Sequence, residues 1–543
     1  MTLVSMLEES AAAFASRVAL RFKEENHWRT LSYADLLAEV QNCAASLRAE
    51  GVQSGDRVAL LLENSPDWPV TYFGVVALGA IVVPVDPLLQ AEEVLHILRD
   101  AGVSLVLCGQ RQGPLLTQSP AAEGPWKIRV LDADSDPSAP PTIRLLRRLP
   151  AEKELNIVAD PLDSARPASL IYTSGTTGKS KGVVLSHGNF LANGRSCLEA
   201  IRIRPDDRFL LCLPLHHAFA FLANLILPLM AGAEICIAES MKKLGDNLSE
   251  VSPTALLGVP LLYDKLCRRL ETSIRERPVA RILWRWGFRR PVRSAIRKKL
   301  GGRLRLAVTG GAPCDADTIR KMESFGIPLI EGYGLTEAGP VVTLNPPEAP
   351  RAGSVGRPLP GIEVRLLNPD ASGVGELAVR GANVMSGYYQ NPEATRETLT
   401  EGGWLRTGDL ARIEADGYLA IRGRKKALIV NREGKNIYPE EVERQIQRSP
   451  LVLECIVAGY RQEGESGERI GAIIVPDPDA LAACASPGET LSETEIGDRV
   501  RADVRRVLRD IAEYKRPRRL EIRMTPFEKT STQKIRRHLY RLS

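Results

Sequence analysis

Residues 55–86, GDRVALLLENSPDWPVTYFGVVALGAIVVPVD, decide the fold class. The run RVALLLEN is apolar on both of its alternating faces, which reads as a strand covered on two sides. DWPVTYFGVVALGA is long enough and apolar enough for a buried helix, and IVVPVD is a second strand. Strand, helix, strand with near-continuous apolar strands is the pattern of a parallel sheet layered with helices. Just upstream, LSYADLLAEVQNCAASLRAEG has apolar residues at helical spacing, Ser32 placed to cap its start and Gly51 to end it. Residues 109–168 are rich in Pro, Ser, Gln and Asp, with one strand candidate, KIRVLDA, and read as a surface connection. After Gly417 the pattern changes to short strands and hairpins, followed by a helix from Pro439. The expected architecture is therefore α/β: a large multi-layer domain over 1–423, a junction at 424–426 and a small α+β domain over 427–543.

Composition agrees with this reading. The 543 residues are 44% hydrophobic and 25% charged, with a net charge of +6, as in a soluble globular protein with ample core. No domain interleaves basic and aromatic residues throughout, so no nucleic-acid partner is expected. Nine cysteines are scattered singly with no CxxC pair, which points to buried free thiols in a reducing compartment. The start, MTLVSMLEES, has neither a cationic opening nor a cleavable apolar core, so a cytoplasmic protein without secretion is expected. The longest apolar stretches, 70–85 and 218–233, fall short of the roughly 20 residues that span a bilayer and read as core helices. Residues 275–305 hold twelve Lys and Arg against one acid, Glu276, with Trp284, Trp286 and Phe288 among them. That segment is either a solvated cationic helix or a surface that touches anionic lipid or guides an amphipathic acid.

The densest chemistry lies at 171–187, IYTSGTTGKSKGVVLSH. A strand end runs into small hydroxyl and glycine residues with two lysines, and Ser186 is placed to cap a following helix. Glycines let the backbone approach an oxyanion, hydroxyls donate to phosphate oxygens, and Lys179 and Lys181 supply charge. Only Thr176 and Thr177 separate Gly175 from Gly178, so the four-residue spacing of a Walker A loop is not met. Thr173, Ser174, Gly175, Thr176, Thr177, Gly178, Lys179 and Lys181 are the candidate phosphate-binding residues.

With this loop in hand, the chain resembles the adenylate-forming superfamily of acyl-CoA synthetases, luciferases and peptide-synthetase adenylation domains, long-chain fatty acyl-CoA synthetases most of all. Four more motifs stand in the family's order. TGGAP at 309–313 matches the turn against the adenine, implying Gly311, Ala312 and Pro313 there. EGYGLTEAGP at 331–340 matches the second nucleotide motif: Glu331, Gly332 and Tyr333 for adenine, Thr336 for the α-phosphate, Glu337 for Mg²⁺. GWLRTGDLARIEADGYLAIRGRKK at 403–426 supplies Asp409, Ile421 and Arg424 for the nucleoside, and Lys426 at the hinge about which family members rotate the small domain. EKTSTQKIRR at 528–537 puts Lys534 where the family keeps its catalytic lysine. Taken singly, each has a plain alternative: Asp409 as a turn residue, Glu337 as a helix-start charge, Lys534 as a surface cation. Five in order are not coincidence. Two positions depart from the family pattern: Gln533 replaces the usual glycine before the lysine, a mark of long-chain relatives, and Ala427 replaces a common acid after the hinge.

The resemblance also implies the chemistry. A carboxylate attacks the α-phosphorus of ATP to give acyl-AMP and pyrophosphate, and a thiol then displaces AMP. Two anions must meet, so cations and donors aimed at the transferring group are the main catalytic requirement. Lys534, Thr177, Glu337 and His217 are the expected catalytic set, with ATP, Mg²⁺ and coenzyme A as cofactor and cosubstrates. LPLHHAFAFLANLILPLMAGA at 213–233 falls where the family walls its acyl pocket: His217 resembles the residue that orients the carboxylate, and Phe219, Ala220, Gly310 and Gly334 are implied beside it. A plain core histidine is the alternative for His217. Amino-acid-activating relatives place an Asp near this helix start, whereas Ala220 follows Phe219 here. An unpartnered buried ammonium costs several kcal/mol, so an apolar acid, a medium- to long-chain fatty acid, is expected. GKNIYPEEVE at 434–443 resembles the border of the pantetheine tunnel, with Gly434 at its turn. Coenzyme A is the expected acceptor, and an acyl carrier protein, anionic and bearing the same arm, suits the basic tail from Arg501 equally well.

Overall fold

The computed structural model describes residues 1–113, 116, 124–132, 143–144, 163–173, 180–431, 433, 435–460, 468–484, 491–529 and 535–542. The chain forms two compact units, one of 1–364 with 379–405 and the other of 365–378 with 406–543. The first unit thus ends at Leu405, ahead of residue 423, where the sequence reading ends the large domain. Of the 109–168 connection only part is described, including the strand Lys127–Asp132, which runs parallel to Leu105–Gly109.

The deciding stretch behaves as its pattern requires. Arg57–Leu61 and Ile81–Pro84 are strands paired in parallel, with the helix Asp67–Ala77 between them. They sit in a sheet ordered Gly387–Tyr388, Lys181–Ser186, Pro167–Thr173, Ile81–Pro84, Arg57–Leu61, Leu105–Gly109, Lys127–Asp132 and Ile143–Arg144 among the described residues. A second sheet in the same unit has Arg208–Leu211, Ala255–Gly258, Leu306–Thr309 and Leu329–Gly334 as consecutive parallel neighbours near its centre. Ser32 caps the helix Tyr33–Ala49 in a box with Asp35, and Gly51 follows at φ +93°.

The helices of this unit share an aromatic core. Trp68 stacks on Tyr72 at 5.5 Å, and Phe221 lies 4.5 Å from Tyr72 and 4.9 Å from Phe190, all four buried. Fully burying one such ring contributes about 2–3 kcal/mol, and the tilted pairs add to that. The segment 218–233 is a helix with an irregular middle: Ala218–Phe221 and Leu227–Ala231 are α-helical, and Leu222–Ile226 is a wide π turn. The stretch 70–85 divides between a helix and a strand, and among the described residues no helix is long and apolar enough to cross a membrane. Seven of the nine cysteines are buried and Cys212 is half-buried. Cys484 is exposed, against the expectation of buried thiols throughout.

In the second unit, Val452–Tyr460 pairs antiparallel with Arg469–Pro476, which pairs in parallel with Arg519–Ile522. The helices Pro439–Ile446 and Glu493–Val507 supply Val442, Ile446, Val500 and Val504 to their common core. This is the α+β pattern expected after Gly417.

One buried histidine ties the amino terminus to the first unit. His187 opens the helix His187–Ala200, and its Nδ1 accepts a hydrogen bond from the Leu3 amide at 3.3 Å. Burial, with Arg166 and the amino terminus nearby, pushes its pKa down to about 4 from an ordinary value of 6.5. The unfolded chain takes up the proton first, so the stability this neutral ring supports is complete above about pH 6.5 and drains away as pH falls toward 4. Chemical unfolding of wild type and His187→Gln at pH 7 and pH 5 checks this. Wild type is expected to lose about 2 kcal/mol relative to the variant over that interval.

Candidate active site

In a parallel sheet every strand ends at the same edge, and loops leaving the carboxyl ends gather there. Thr309 is in register with Glu331 and Gly258 with Thr309, so the TGGAP turn and the EGYG strand end emerge side by side. The neighbouring strand Arg208–Leu211 leads to His216 and His217 at the same edge. Glu331, 4% exposed, accepts the Cys314 amide on Oε1 at 2.9 Å, and its main-chain oxygen accepts from Asn345. A buried carboxylate therefore fastens the turn containing Gly311, Ala312 and Pro313 to the strand carrying Gly332 and Tyr333.

Gly334 is required by contact: a Cβ there would stand 1.9 Å from the Pro340 carbonyl oxygen. The chain folds back so tightly because Leu335 donates to that same oxygen, closing the loop around the short 3-10 helix Thr336–Ala338. Thr336 and Glu337 both sit on this single turn. Glu337 is half-buried, and its Oε1 accepts the Tyr388 hydroxyl at 2.9 Å. A half-buried carboxylate whose Oε2 has no hydrogen-bond partner among the described residues suits a hard divalent cation, so the residues present fit Mg²⁺.

Thr173 and Lys181 face each other across the antiparallel pair Pro167–Thr173 and Lys181–Ser186. Ser174, Gly175, Thr176, Thr177, Gly178 and Lys179, between them, lie outside the described residues. Lys181 places its ammonium 5.2 Å from the centre of the Tyr388 ring. Tyr388 is thus flanked by one residue from each nucleotide motif. Ser186 caps the next helix by accepting the Asn189 amide at 3.1 Å.

On the acid side, a Cβ on Gly310 would stand 3.2 Å from the tip of the Phe219 ring, so the TGGAP turn and the 218–233 helix meet there. Ala220 is buried and Phe219 half-buried. His217 lies beside His216, ring centres 4.2 Å apart, and ligand atoms of both fall within 4.8 Å of Asp86. His216 is buried, and desolvation drives its pKa down to about 3, so it is neutral. Its Nε2 is 3.6 Å from the Asp86 carboxylate, beyond a hydrogen bond.

The second unit holds the remaining motifs. Asp409 and Arg424 are cross-strand partners, Arg424 Nε to Asp409 Oδ1 being 2.9 Å, with Asp409 only 4% exposed. The two expected nucleoside contacts are therefore a pair with each other. Ile421 opposes Ala411 in the same hairpin. Gly423 lies against the helix Pro439–Ile446, where a Cβ would stand 2.5 Å from the Glu440 carboxylate tip. Lys426 is the middle residue of a 3-10 turn, Lys425–Ala427, whose first lysine pairs with Glu376 at 2.8 Å. Burial favours the protonated acid at Glu376, but Arg406 and Lys425 outweigh it and hold the pKa below the usual carboxylate range. Gly434 and Lys534 lie outside the described residues. Near Lys534, Lys529 and Ile535 are bridged, and Arg537 is paired with buried Glu443.

Tyr388, Asp86, His216 and Glu376 went unread in the sequence. For Tyr388 a signal existed: SGYYQNPEAT, at 386–395, puts a Gly-Tyr pair just before a proline-initiated helix.

The TGGAP turn and the Glu337 loop at one edge of a parallel sheet, with a small α+β unit following, belong to the fold of an AMP-forming acid–thiol ligase. The chain belongs to the AMP-binding enzyme family: that family's profile matches residues 7–389, and the AMP-binding enzyme C-terminal domain matches 441–534. It is 31% identical over 507 residues to the long-chain-fatty-acid–CoA ligase FadD15 of Mycobacterium bovis, covering 87% of this chain and 81% of that one. It is 34% identical over 458 residues to a feruloyl-CoA synthase of an Amycolatopsis species, covering 82% and 84%. The crystal structure of ATP-bound MatB from Rhodopseudomonas palustris superposes with a TM-score of 0.79 at 26% identity, over 99% of this chain and 98% of that one. Enzymes of this kind use ATP, Mg²⁺ and coenzyme A.

Proposed function

We propose that the chain activates a medium- to long-chain fatty acid as acyl-AMP and transfers the acyl group to coenzyme A. The observation that carries the substrate is the wall after His217: Ala218, Ala220, Phe221, Leu222 and Leu225 are buried, and no charged residue occurs from 218 to 233. A substrate ammonium would find no counter-charge on this wall, while an alkyl chain loses nothing by entering it. The name of the FadD15 relative supports the same class.

In this reading His217 orients the carboxylate, and Ser174–Lys179 with Lys181 hold the phosphates that leave as pyrophosphate. Thr336 meets the α-phosphate. Glu337 holds Mg²⁺, which when bound neutralises phosphate charge. Tyr333 lies on the adenine, and Asp409 opens from Arg424 to take the ribose hydroxyls. Lys534 bridges carboxylate and nucleotide, and the small domain turns about Lys426 so that Gly434 borders the path of the pantetheine thiol. An acyl carrier protein is the rival acceptor.

The segment 275–305 is assigned to an anionic membrane surface. In the helix Pro278–Arg285 no residue is buried, and Val279, Ile282, Trp286 and Phe288 are 70%, 53%, 75% and 63% exposed among arginines. Apolar side chains set in a cationic face match the headgroup boundary of anionic lipid.

Pyrophosphate release tests the substrate. With coenzyme A present, palmitate and decanoate are expected to turn over, and ferulate and amino acids at least 100-fold more slowly. Preference for ferulate overturns the fatty-acid reading, and pyrophosphate release without loss of free coenzyme A thiol points to a carrier protein. Lys534→Ala is expected to cut acyl-AMP formation by about 10³-fold, within the range for removing a charge-stabilising donor, while thioester formation from supplied acyl-AMP stays within a few-fold of wild type. Equal loss of both half-reactions contradicts the role. In vesicle flotation, phosphatidylglycerol vesicles are expected to carry the protein at low salt and phosphatidylcholine vesicles are not. Trp286→Ser with Phe288→Ser is expected to abolish the binding, and no flotation on either vesicle identifies 275–305 as a solvated face.

A further inference from the structure

We infer that Tyr388 is a positioning residue for Glu337, holding that carboxylate in the orientation from which it binds Mg²⁺. The inference rests on the assignment of Glu337 as the metal ligand and adds the residue that aims it. The Tyr388 hydroxyl donates to Glu337 Oε1 at 2.9 Å, which occupies one side of that oxygen and leaves Oε2 for a cation. A freely rotating glutamate loses rotamer entropy each time it captures a metal, and a donor already bonded to its carboxylate removes much of that cost.

The surroundings hold the tyrosine in place. Gly387 and Tyr388 pair antiparallel with Val184 and Val183, so the backbone is fixed by the sheet that carries Lys181. The Tyr388 amide donates to Thr395 Oγ1 at 2.9 Å. The segment before it is fastened to the Thr336–Ala338 turn as well: Met385 donates to the Glu337 main-chain oxygen at 2.9 Å, and Asn383 Nδ2 to the Ala338 oxygen at 2.5 Å. Asn189 Nδ2 donates to the oxygens of Ala382 and Val384 at 2.8 and 2.9 Å. Residues 382–388 therefore follow Glu337 through backbone, amide and phenol together. The Lys181 ammonium over the ring is within cation–π reach, so the same side chain seats a phosphate-loop cation.

Binding is the readout. ATP binding is followed by intrinsic fluorescence at fixed ATP while Mg²⁺ is varied, for wild type, Tyr388→Phe, Glu337→Gln and the double variant, with melting temperatures recorded alongside. Tyr388→Phe keeps the ring beneath Lys181 and deletes only the hydroxyl. It is expected to raise the half-saturating Mg²⁺ about tenfold, within the range for lost outer-shell partners, and to leave ATP affinity without Mg²⁺ unchanged. Glu337→Gln is expected to raise it at least as far, and the hydroxyl deletion to add nothing in that background. If Glu337→Gln weakens the Mg²⁺ dependence and Tyr388→Phe leaves it intact, Tyr388 only packs and the inference is lost. A lower Mg²⁺ requirement in Tyr388→Phe shows that the phenol holds the carboxylate away from the metal, which overturns it equally. An effect of the hydroxyl that persists in the Glu337→Gln background shows that it does not act through Glu337. No change in Glu337→Gln removes the metal assignment itself.

Discussion

Parallel strands cannot choose where they end. With Thr309 level with Gly258 and with Glu331, the loops that follow all open at one edge of the sheet. Residues more than a hundred positions apart, from His216 to Glu337, come to the same edge because backbone hydrogen bonds fix the register of the strands before them. Sequence in the loops then decides what the edge does. The Glu331 carboxylate, spent on the Cys314 amide, converts two loops into one surface. Besides that bond, the turn at 309–313 is held by the Gly310 amide donating to the Gly258 oxygen at 3.2 Å.

Much of this was legible before any coordinates. Strand composition at 57–61 and 81–84, with a helix-length apolar run between, identified layered parallel structure, because strands buried on both faces leave few polar positions to confuse the pattern. The second nucleotide motif was legible for a related reason: close backbone approach demands glycine, and Gly334 stands where a Cβ would collide with the Pro340 carbonyl. The exposed basic run at 275–305 was visible from charge alone.

What escaped depends on pairing across the chain. Tyr388 reaches Glu337 over 51 positions, and nothing local to either residue announces the other. Asp86 and His216 are close only because two sheets bring them together. The pairing of Asp409 with Arg424 is equally invisible, since each residue alone suits a nucleotide contact. The first unit ends at Leu405, inside the strand Trp404–Ile413, where no change of sequence pattern marks the division.

The wide turn at Leu222–Ile226 has an implication for how such a wall is altered. A π turn holds one residue more than the α-helix around it, so its two flanks are out of phase by about 100°. Phe221, ahead of the turn, packs on Tyr72 and Phe190, while Leu227, after it, faces Gly194. Deleting a single residue between them would restore a continuous helix and rotate every later side chain to a new neighbour. The contour of this buried helix is thus encoded in the length of the segment as much as in its side chains, and a lineage can reshape it by indel without introducing one polar atom.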